Sequence, residues 1–280
     1  MPVVETLTLL GTGMIGGSIG LAARKNRAAA RVIGYDCHPE VLQTAQEKGV
    51  FDYAEPVLSK AVSQADLVIC CAPVHLISQI LLEASSHCKA GAILSDVGSA
   101  KGDIAKTLEG KLPSHVEFIP GHPIAGSEKN GPLAATDNLF EGRLFISTPS
   151  LNAKASGMAK LEEFWKRLGA RVAQLDPQEH DKIFALTSHL PHLIAYALAG
   201  LLDPNLAKFT GGGFRDTTRV AGSDPLLWTE IFRSNRGPLL ESIKPFLKQL
   251  GAIEQAISQD NRTELMRLLT EANQCRQQIP

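Results

Sequence analysis

A chain of 280 residues, 44% hydrophobic and 20% charged, has material for two globular domains with real cores and no stretch of disordered composition. Its 28 basic side chains nearly balance 29 acidic ones, giving a formal charge of -1 and a pI near 6.7, so no basic excess is available to hold a nucleic acid. Small-molecule chemistry is the class those bounds leave.

The N-terminus, Met1-Pro-Val-Val-Glu-Thr, runs straight into a strand pattern and lacks the cationic and apolar regions of a secretory signal, which predicts a cytoplasmic protein. Short apolar and β-branched runs at residues 6–10, 31–36, 67–71, 92–96, 116–119, 144–148 and 171–175 read as strands. The segments between them, such as 39–49 and 74–86, carry apolar residues at helical spacing and are long enough for right-handed crossovers. This is the α/β rhythm of a doubly wound, mainly parallel sheet. Cys70 and Cys71 are adjacent within one apolar strand, and Cys37, Cys88 and Cys275 are scattered; all five read as reduced thiols without metal-ligand spacing, so no metal is expected.

The pattern changes at Asp176-Pro177, a cap followed by a proline suited to a first helical position, and strand-like runs then end. The expected division is a dinucleotide-binding domain at 1–175 and a helical domain at 176–280. Residues 183–202 are apolar but include Ser188, His189, Pro191 and His192, which argues for a buried helix and against a membrane span. The proline inside that helix costs roughly 3 kcal/mol in backbone terms. A glycine-rich polar stretch at 209–220 interrupts the domain before more helix at 224–277.

Gly11, Gly13 and Gly16 directly follow the first strand and open a small-residue helix, the context in which this spacing binds a dinucleotide. The first glycine permits the tight turn, the second lets a pyrophosphate approach the backbone, and the third lets the helix pack on the strand. Met14 and Ile15 lie in the same turn, and Ala72 and Pro73, just past the strand at 67–71, complete the expected cofactor set. Asp36 closes the second strand twenty residues beyond Gly16, where a carboxylate accepts from ribose hydroxyls and repels a 2′-phosphate. NAD is therefore expected rather than NADP, and FAD is disfavoured. Downstream, the stretch Pro120-Gly-His-Pro-Ile-Ala-Gly-Ser-Glu128 reads as a loop that presents His122 as an acid-base group.

Five segments together resemble the prephenate and arogenate dehydrogenases: the glycine motif at 11–16, Asp96-Val-Gly-Ser-Ala-Lys101, Gly121-His-Pro-Ile-Ala-Gly126, Ser188-His-Leu-Pro-His192, and Gly213-Phe-Arg-Asp-Thr-Thr-Arg-Val220. The resemblance spans nearly the whole chain. It implies a Rossmann-like domain followed by an all-helical dimerisation domain, a homodimer, and NAD-dependent oxidative decarboxylation of prephenate or arogenate in tyrosine biosynthesis. It makes His122 the catalytic histidine and Ser99 the serine that hydrogen-bonds the same substrate hydroxyl, although Ser99 read alone could equally cap a helix.

The same resemblance puts Arg219, with His192 beside it, in the substrate pocket and leaves His189 a supporting residue. Arg215 is a neighbouring alternative if residues 213–220 are helical, with Asp216 expected to pair with one of the two arginines. Ser127 and Glu128 border the pocket, and Glu128 is the group that could meet the amino end of arogenate; Trp228 is either a pocket aromatic or core. Lys101 reads as a helix-start charge. A β-hydroxyacid or imine-type dehydrogenase is the alternative enzyme, but the lysine pattern of the hydroxyacid enzymes fails, since Leu186 stands four residues after Lys182 where an asparagine is required. A non-catalytic NAD-sensing protein would keep the glycines and Asp36 without needing His122, Ser99 and Arg219 together.

Overall fold

The computed structural model describes residues 1–126, 129–150 and 152–279. A six-stranded parallel sheet is formed by β1 (Val4–Leu10), β2 (Ala29–Tyr35), β3 (Tyr53–Ala54), β4 (Leu67–Cys70), β5 (Ile93–Asp96) and β6 (Glu117–Phe118), in the order β3-β2-β1-β4-β5-β6. Helices α1 (Met14–Lys25), α2 (Pro39–Glu47), α3 (Leu58–Val62), α4 (Val74–Ser85) and α5 (Gly102–Leu108) cross between them. β4 is buried along its whole length, as a strand covered on both faces by helices must be, which is why it reads as an unbroken apolar run.

The chain order reverses between β1 and β4, so a crevice opens at their carboxyl ends, the place where open α/β sheets bind ligands. Register aligns that edge. Leu10 pairs with both Tyr35 and Cys70, and Cys70 with Asp96, so Gly11, Asp36, Cys71 and Val97 leave the sheet side by side.

The sequence pattern predicts one sheet, but the strands at 144–148 and 171–175 belong to a second one. β7 (Gly121–Pro123), β8 (Leu144–Ser147) and β9 (Arg171–Gln174) form it, with β7 antiparallel to β8 and β8 parallel to β9. Pro120, lacking an N–H, cannot extend β6, and the chain turns away there. Gly121 makes the new path possible, because a Cβ on it would stand 2.4 Å from the Phe145 ring and 3.1 Å from the Asp96 carbonyl oxygen. His122 therefore lies on a buried strand, paired with Ile146, and not on a loop as expected. Helix α6 (Ala155–Arg167) covers this sheet, with Trp165 stacked on Phe145 at 4.2 Å.

Beyond β9 the described residues are helical: α7 (Pro177–Phe184), α8 (Leu190–Ala199), α9 (Gly212–Thr218), α10 (Pro225–Ser234), α11 (Arg236–Ser258) and α12 (Arg262–Gln277). Asp176 caps α7 by accepting from the N–H groups of Gln178 and Glu179, with Pro177 in the first turn, as the dipeptide predicts. The expected cost of Pro191 is relieved by a five-residue π turn, Ala185–His189, which sets the proline in the first turn of α8. Trp228 and Ile231 of α10 join the core cluster formed by β4, β5 and α4, so the helical part is packed onto the parallel sheet. Among the described residues no helix is long and apolar enough to cross a membrane.

Candidate active site

The glycine turn has the shape of a phosphate cradle. Gly11 adopts φ +99°, where a side chain is strained, and a Cβ on Gly16 would collide with the Gly11 carbonyl oxygen. Gly13, by contrast, faces open space, and no side chain caps α1, so the helix N-terminus is left for an anion. Asp36 accepts from the Thr12 N–H at 2.9 Å and from the His38 N–H at 3.0 Å, which holds its carboxylate at the mouth of that turn. Met14 and Ile15 form the first turn of α1, and Ala72 and Pro73 follow β4 at the same sheet edge. These residues fit a dinucleotide, with the pyrophosphate on the turn and a ribose at Asp36.

Asp36, Cys37 and His38 also gather one ligand atom each within 4.8 Å of one another. The Asp36 carboxylate there already serves Thr12 and His38.

A chain of buried polar groups runs behind His122. Its Nδ1 lies 2.9 Å from His180 Nε2, and His180 Nδ1 lies 2.9 Å from Asp181 Oδ1. Asp181 accepts from the N–H groups of Lys101 and Gly102, each at 2.8 Å, so it acts as an acceptor and His180 Nδ1–H must donate to it. His180 Nε2 then accepts, His122 Nδ1–H donates, and the lone pair of His122 is left on Nε2. Burial holds the His122 pKa well below the usual imidazole value, with His180 and Lys101 adding to the depression. Burial also lowers His180, against an opposing pull from Asp181. A neutral imidazole with its lone pair on Nε2 is a proton acceptor.

Neither His180 nor Asp181 is singled out by the sequence, where they form an ordinary dipeptide four residues past a helix cap. Only the docking of α7 onto β7 and α5 brings them to His122.

Lys101 stands at the start of α5, as expected, but its side chain is fully buried: its Nζ pairs with Asp96 and donates to the Gly121 carbonyl at 2.8 Å. Asp96 also accepts from the Gly98 N–H at 2.8 Å. The pair therefore ties the loop carrying Ser99 to the strand carrying His122. Ser99 itself is half-buried between β5 and α5.

His192 is half-buried on α8, donates from Nδ1 to the Ser188 carbonyl at 2.9 Å, and stacks on Trp228 with ring centroids 3.5 Å apart. Trp228 is buried and contributes both to the core cluster and to the wall beside His192. Burial lowers the His192 pKa and Arg219 lowers it further, which puts the guanidinium within electrostatic reach of the ring. Burial is the main cause of the lowered His122 and His189 pKa values, with His189 adding to the depression at His122 and His192 to that at His189. Arg219 is exposed at the start of a 3-10 turn after α9.

Arg215 is also exposed, and its Nε contacts Thr210 Oγ1 at 3.4 Å. Among the described residues Asp216 makes no ion pair with either arginine, contrary to expectation. The expectations for Ser127 and Glu128 fall outside the described residues. An open groove of about 870 Å³ between α4, α5 and α10, lined by His75, Asp103, Glu230 and Arg233, touches none of the predicted site residues.

Comparison with known proteins identifies the family. Residues 19–174 match the family model described as prephenate dehydrogenase, nucleotide-binding domain, and residues 176–271 match prephenate dehydrogenase, dimerization domain. The chain is 33% identical to a cyclohexadienyl dehydrogenase of Zymomonas mobilis over 283 residues, covering 99% of this chain and 96% of that protein. The fold is similar to prephenate dehydrogenase from A. aeolicus, solved with hydroxyphenyl propionate and NAD⁺, at a TM-score of 0.91 and 32% identity over 99% of this chain and 98% of that one. It is also similar to Synechocystis arogenate dehydrogenase, at a TM-score of 0.82 and 29% identity over 99% and 100% of the two chains. This chain belongs to the prephenate dehydrogenase family.

Proposed function

We propose that the protein catalyses NAD-dependent oxidative decarboxylation of a cyclohexadienol, prephenate or arogenate, with His122 as the proton acceptor for the C4 hydroxyl. The observation that carries this reading is the Asp181-His180-His122 chain, which leaves a neutral imidazole whose Nε2 can only accept. When bound, NAD⁺ supplies the hydride acceptor. The glycine turn would hold its pyrophosphate and Asp36 the adenosine ribose, with Ala72 and Pro73 at the same sheet edge. As C4 loses hydride its hydroxyl becomes acidic; His122 Nε2 takes that proton and Ser99 shares the hydroxyl by hydrogen bond. Loss of the ring carboxylate as CO2 leaves the bonding electrons in the ring, which becomes an aromatic phenolate and takes the proton back from His122.

Arg219 anchors the substrate through its side-chain carboxylate, with the His192 and Trp228 pair as the adjoining wall. Gripping the leaving ring carboxylate instead would stabilise the ground state and oppose CO2 loss. Arg215, four residues before it, is the neighbouring alternative. Ser127 and Glu128 stay as expected pocket residues, with Glu128 the group to test for choice between the keto and amino substrates.

We assign residues 1–175 to cofactor binding and 176–280 to the substrate pocket and a homodimer. The support for a dimer is the apolar surface of the helical part, where Leu201, Phe209, Leu226, Leu247 and Ile257 are all exposed. Such a surface is costly to leave in water, and the family's second domain is described by its dimerisation. Cytoplasmic residence fits the biosynthetic reaction. The test is NADH formation followed by absorbance with NAD⁺ and either substrate; production from at least one, with NADP⁺ much poorer, is expected. No NADH from either substrate would refute the assignment.

A further inference from the structure

We propose that His180 is a proton relay behind His122. As His122 Nε2 takes the proton of the substrate hydroxyl, the His122 Nδ1 proton passes to His180 Nε2, and the positive charge comes to rest against the Asp181 carboxylate. The inference deepens the reading of His122 as the acceptor of that proton, and it rests on that reading.

The three side chains form one continuous hydrogen-bonded line. His122 Nδ1 stands 2.9 Å from His180 Nε2, and His180 Nδ1 stands 2.9 Å from Asp181 Oδ1. The backbone N–H groups of Lys101 and Gly102 meet the two oxygens of that carboxylate, each at 2.8 Å. The approach is so close that a Cβ on Gly102 would stand 2.8 Å from Asp181 Oδ2. The Asn235 amide holds the Asp181 backbone carbonyl, also at 2.8 Å, so both ends of the residue are fixed. Asp181 accepts, His180 therefore carries its resting proton on Nδ1, and its Nε2 lone pair faces His122. A proton can move along that 2.9 Å bond without either ring turning.

The surroundings decide which ring keeps the charge. His122, on β7, faces the His180 and Phe184 rings of α7, with centroids 5.1 and 5.0 Å away. The Lys101 ammonium sits on the adjoining Gly121 carbonyl, and both it and His189 of the π turn disfavour an imidazolium at His122. Among the described residues no carboxylate bonds to His122, and Asp96 is engaged by Lys101. His180 is buried too and feels the same lysine, but Asp181 is in contact with it and Asp96 also favours its charged form. In a buried site a charge touching its counterion is far less costly than a bare one. The relay thus moves the charge from a ring where it is opposed to one where it is paired. When the phenolate forms, His122 Nε2 gives its proton to that oxygen and His180 Nε2 returns one to His122 Nδ1. Both rings regain their resting tautomers, and Asp181 neither gains nor loses a proton.

The test combines kinetics with a ring measurement. His180→Gln keeps an acceptor for the His122 Nδ1–H but cannot take a proton. It is expected to lower kcat by about ten- to a hundredfold, part of what a positioned acid-base group supplies, with KM for NAD⁺ within about twofold. In wild-type enzyme the acid limb of kcat/KM reports a proton shared by the pair. In His180→Gln that proton must lodge on His122, so the limb moves to lower pH by about one unit or more. Loss of packing alone would do the reverse, since water admitted beside His122 raises its pKa toward the ordinary imidazole value. In 15N-histidine-labelled wild-type enzyme at neutral pH, both rings should show the Nδ1–H pattern.

A folded His180→Gln enzyme with wild-type kcat, or one whose acid limb stays in place or rises, would overturn the proposal. So would a resting His180 with its proton on Nε2, because that nitrogen could then receive nothing. The ring measurement uses wild-type enzyme and decides the matter even if the glutamine variant does not fold. His122→Asn separates the two readings. Full turnover in that variant removes the role of His122 itself, whereas lost turnover there beside an unaffected His180→Gln removes only the relay.

Discussion

At the scale of single residues, the tautomer of His122 is set two side chains away by Asp181. His122→Asn is expected to retain substrate binding and lose turnover by about a hundred- to ten-thousandfold, the range of a positioned acid-base group; steady-state kinetics with unchanged kcat would remove the assignment. Arg219→Ala raises substrate KM by about ten- to a hundredfold, as loss of a charged hydrogen bond does, with a smaller effect on kcat. An unchanged KM would put the carboxylate elsewhere. His122 and Arg219 are candidates that the sequence offers through their motifs. His180 and Asp181 are not, since nothing local distinguishes that dipeptide from a polar stretch near the start of a helix.

At the scale of elements, the turn from β6 into β7 is the feature that places the histidine. Pro120 ends one sheet, Gly121 slips between Phe145 and Asp96, and His122 emerges on the edge strand of a second sheet. Lys101 stitches this turn to the β5–α5 loop through Asp96 and the Gly121 carbonyl. Lys101→Met leaves Asp96 as a buried carboxylate without its cation, a change expected to destabilise the fold by about 3–5 kcal/mol, measurable by denaturant unfolding. A stability equal to wild type would show that the pair contributes nothing net. The sequence pattern locates the strands at 144–148 and 171–175 but not their sheet, because strand propensity does not encode partners. It likewise puts Pro191 within a helix without revealing the π turn that accommodates it.

At the scale of the whole molecule, three histidines are buried where the helical part meets β7 and the loop before α5: His122, His180 and His189 all have pKa values lowered chiefly by burial. Their unfolded forms take up protons near pH 6.5 while the folded forms do not, so the unfolded state binds more protons below that pH and stability falls as pH drops. The slope is about 1.4 kcal/mol per pH unit for each such histidine, down to its folded pKa, which for His189 is about 4. Thermal unfolding should therefore show a Tm that is flat above about pH 7 and falls steeply between about pH 6.5 and 4; a flat Tm across that window would contradict the burial of these rings as neutral groups. By itself the sequence determined the α/β fold followed by helices and the family, and it pointed to the glycine turn with Asp36 and to His122 as the residues to test. Those rest on local rules, a glycine spacing, a hydrophobic period and a helix cap, that hold wherever the segment is placed. The tertiary structure alone decided the second sheet, the burial of Lys101, and the hydrogen-bonded chain that orients His122, because each depends on groups far apart in sequence meeting where water is excluded.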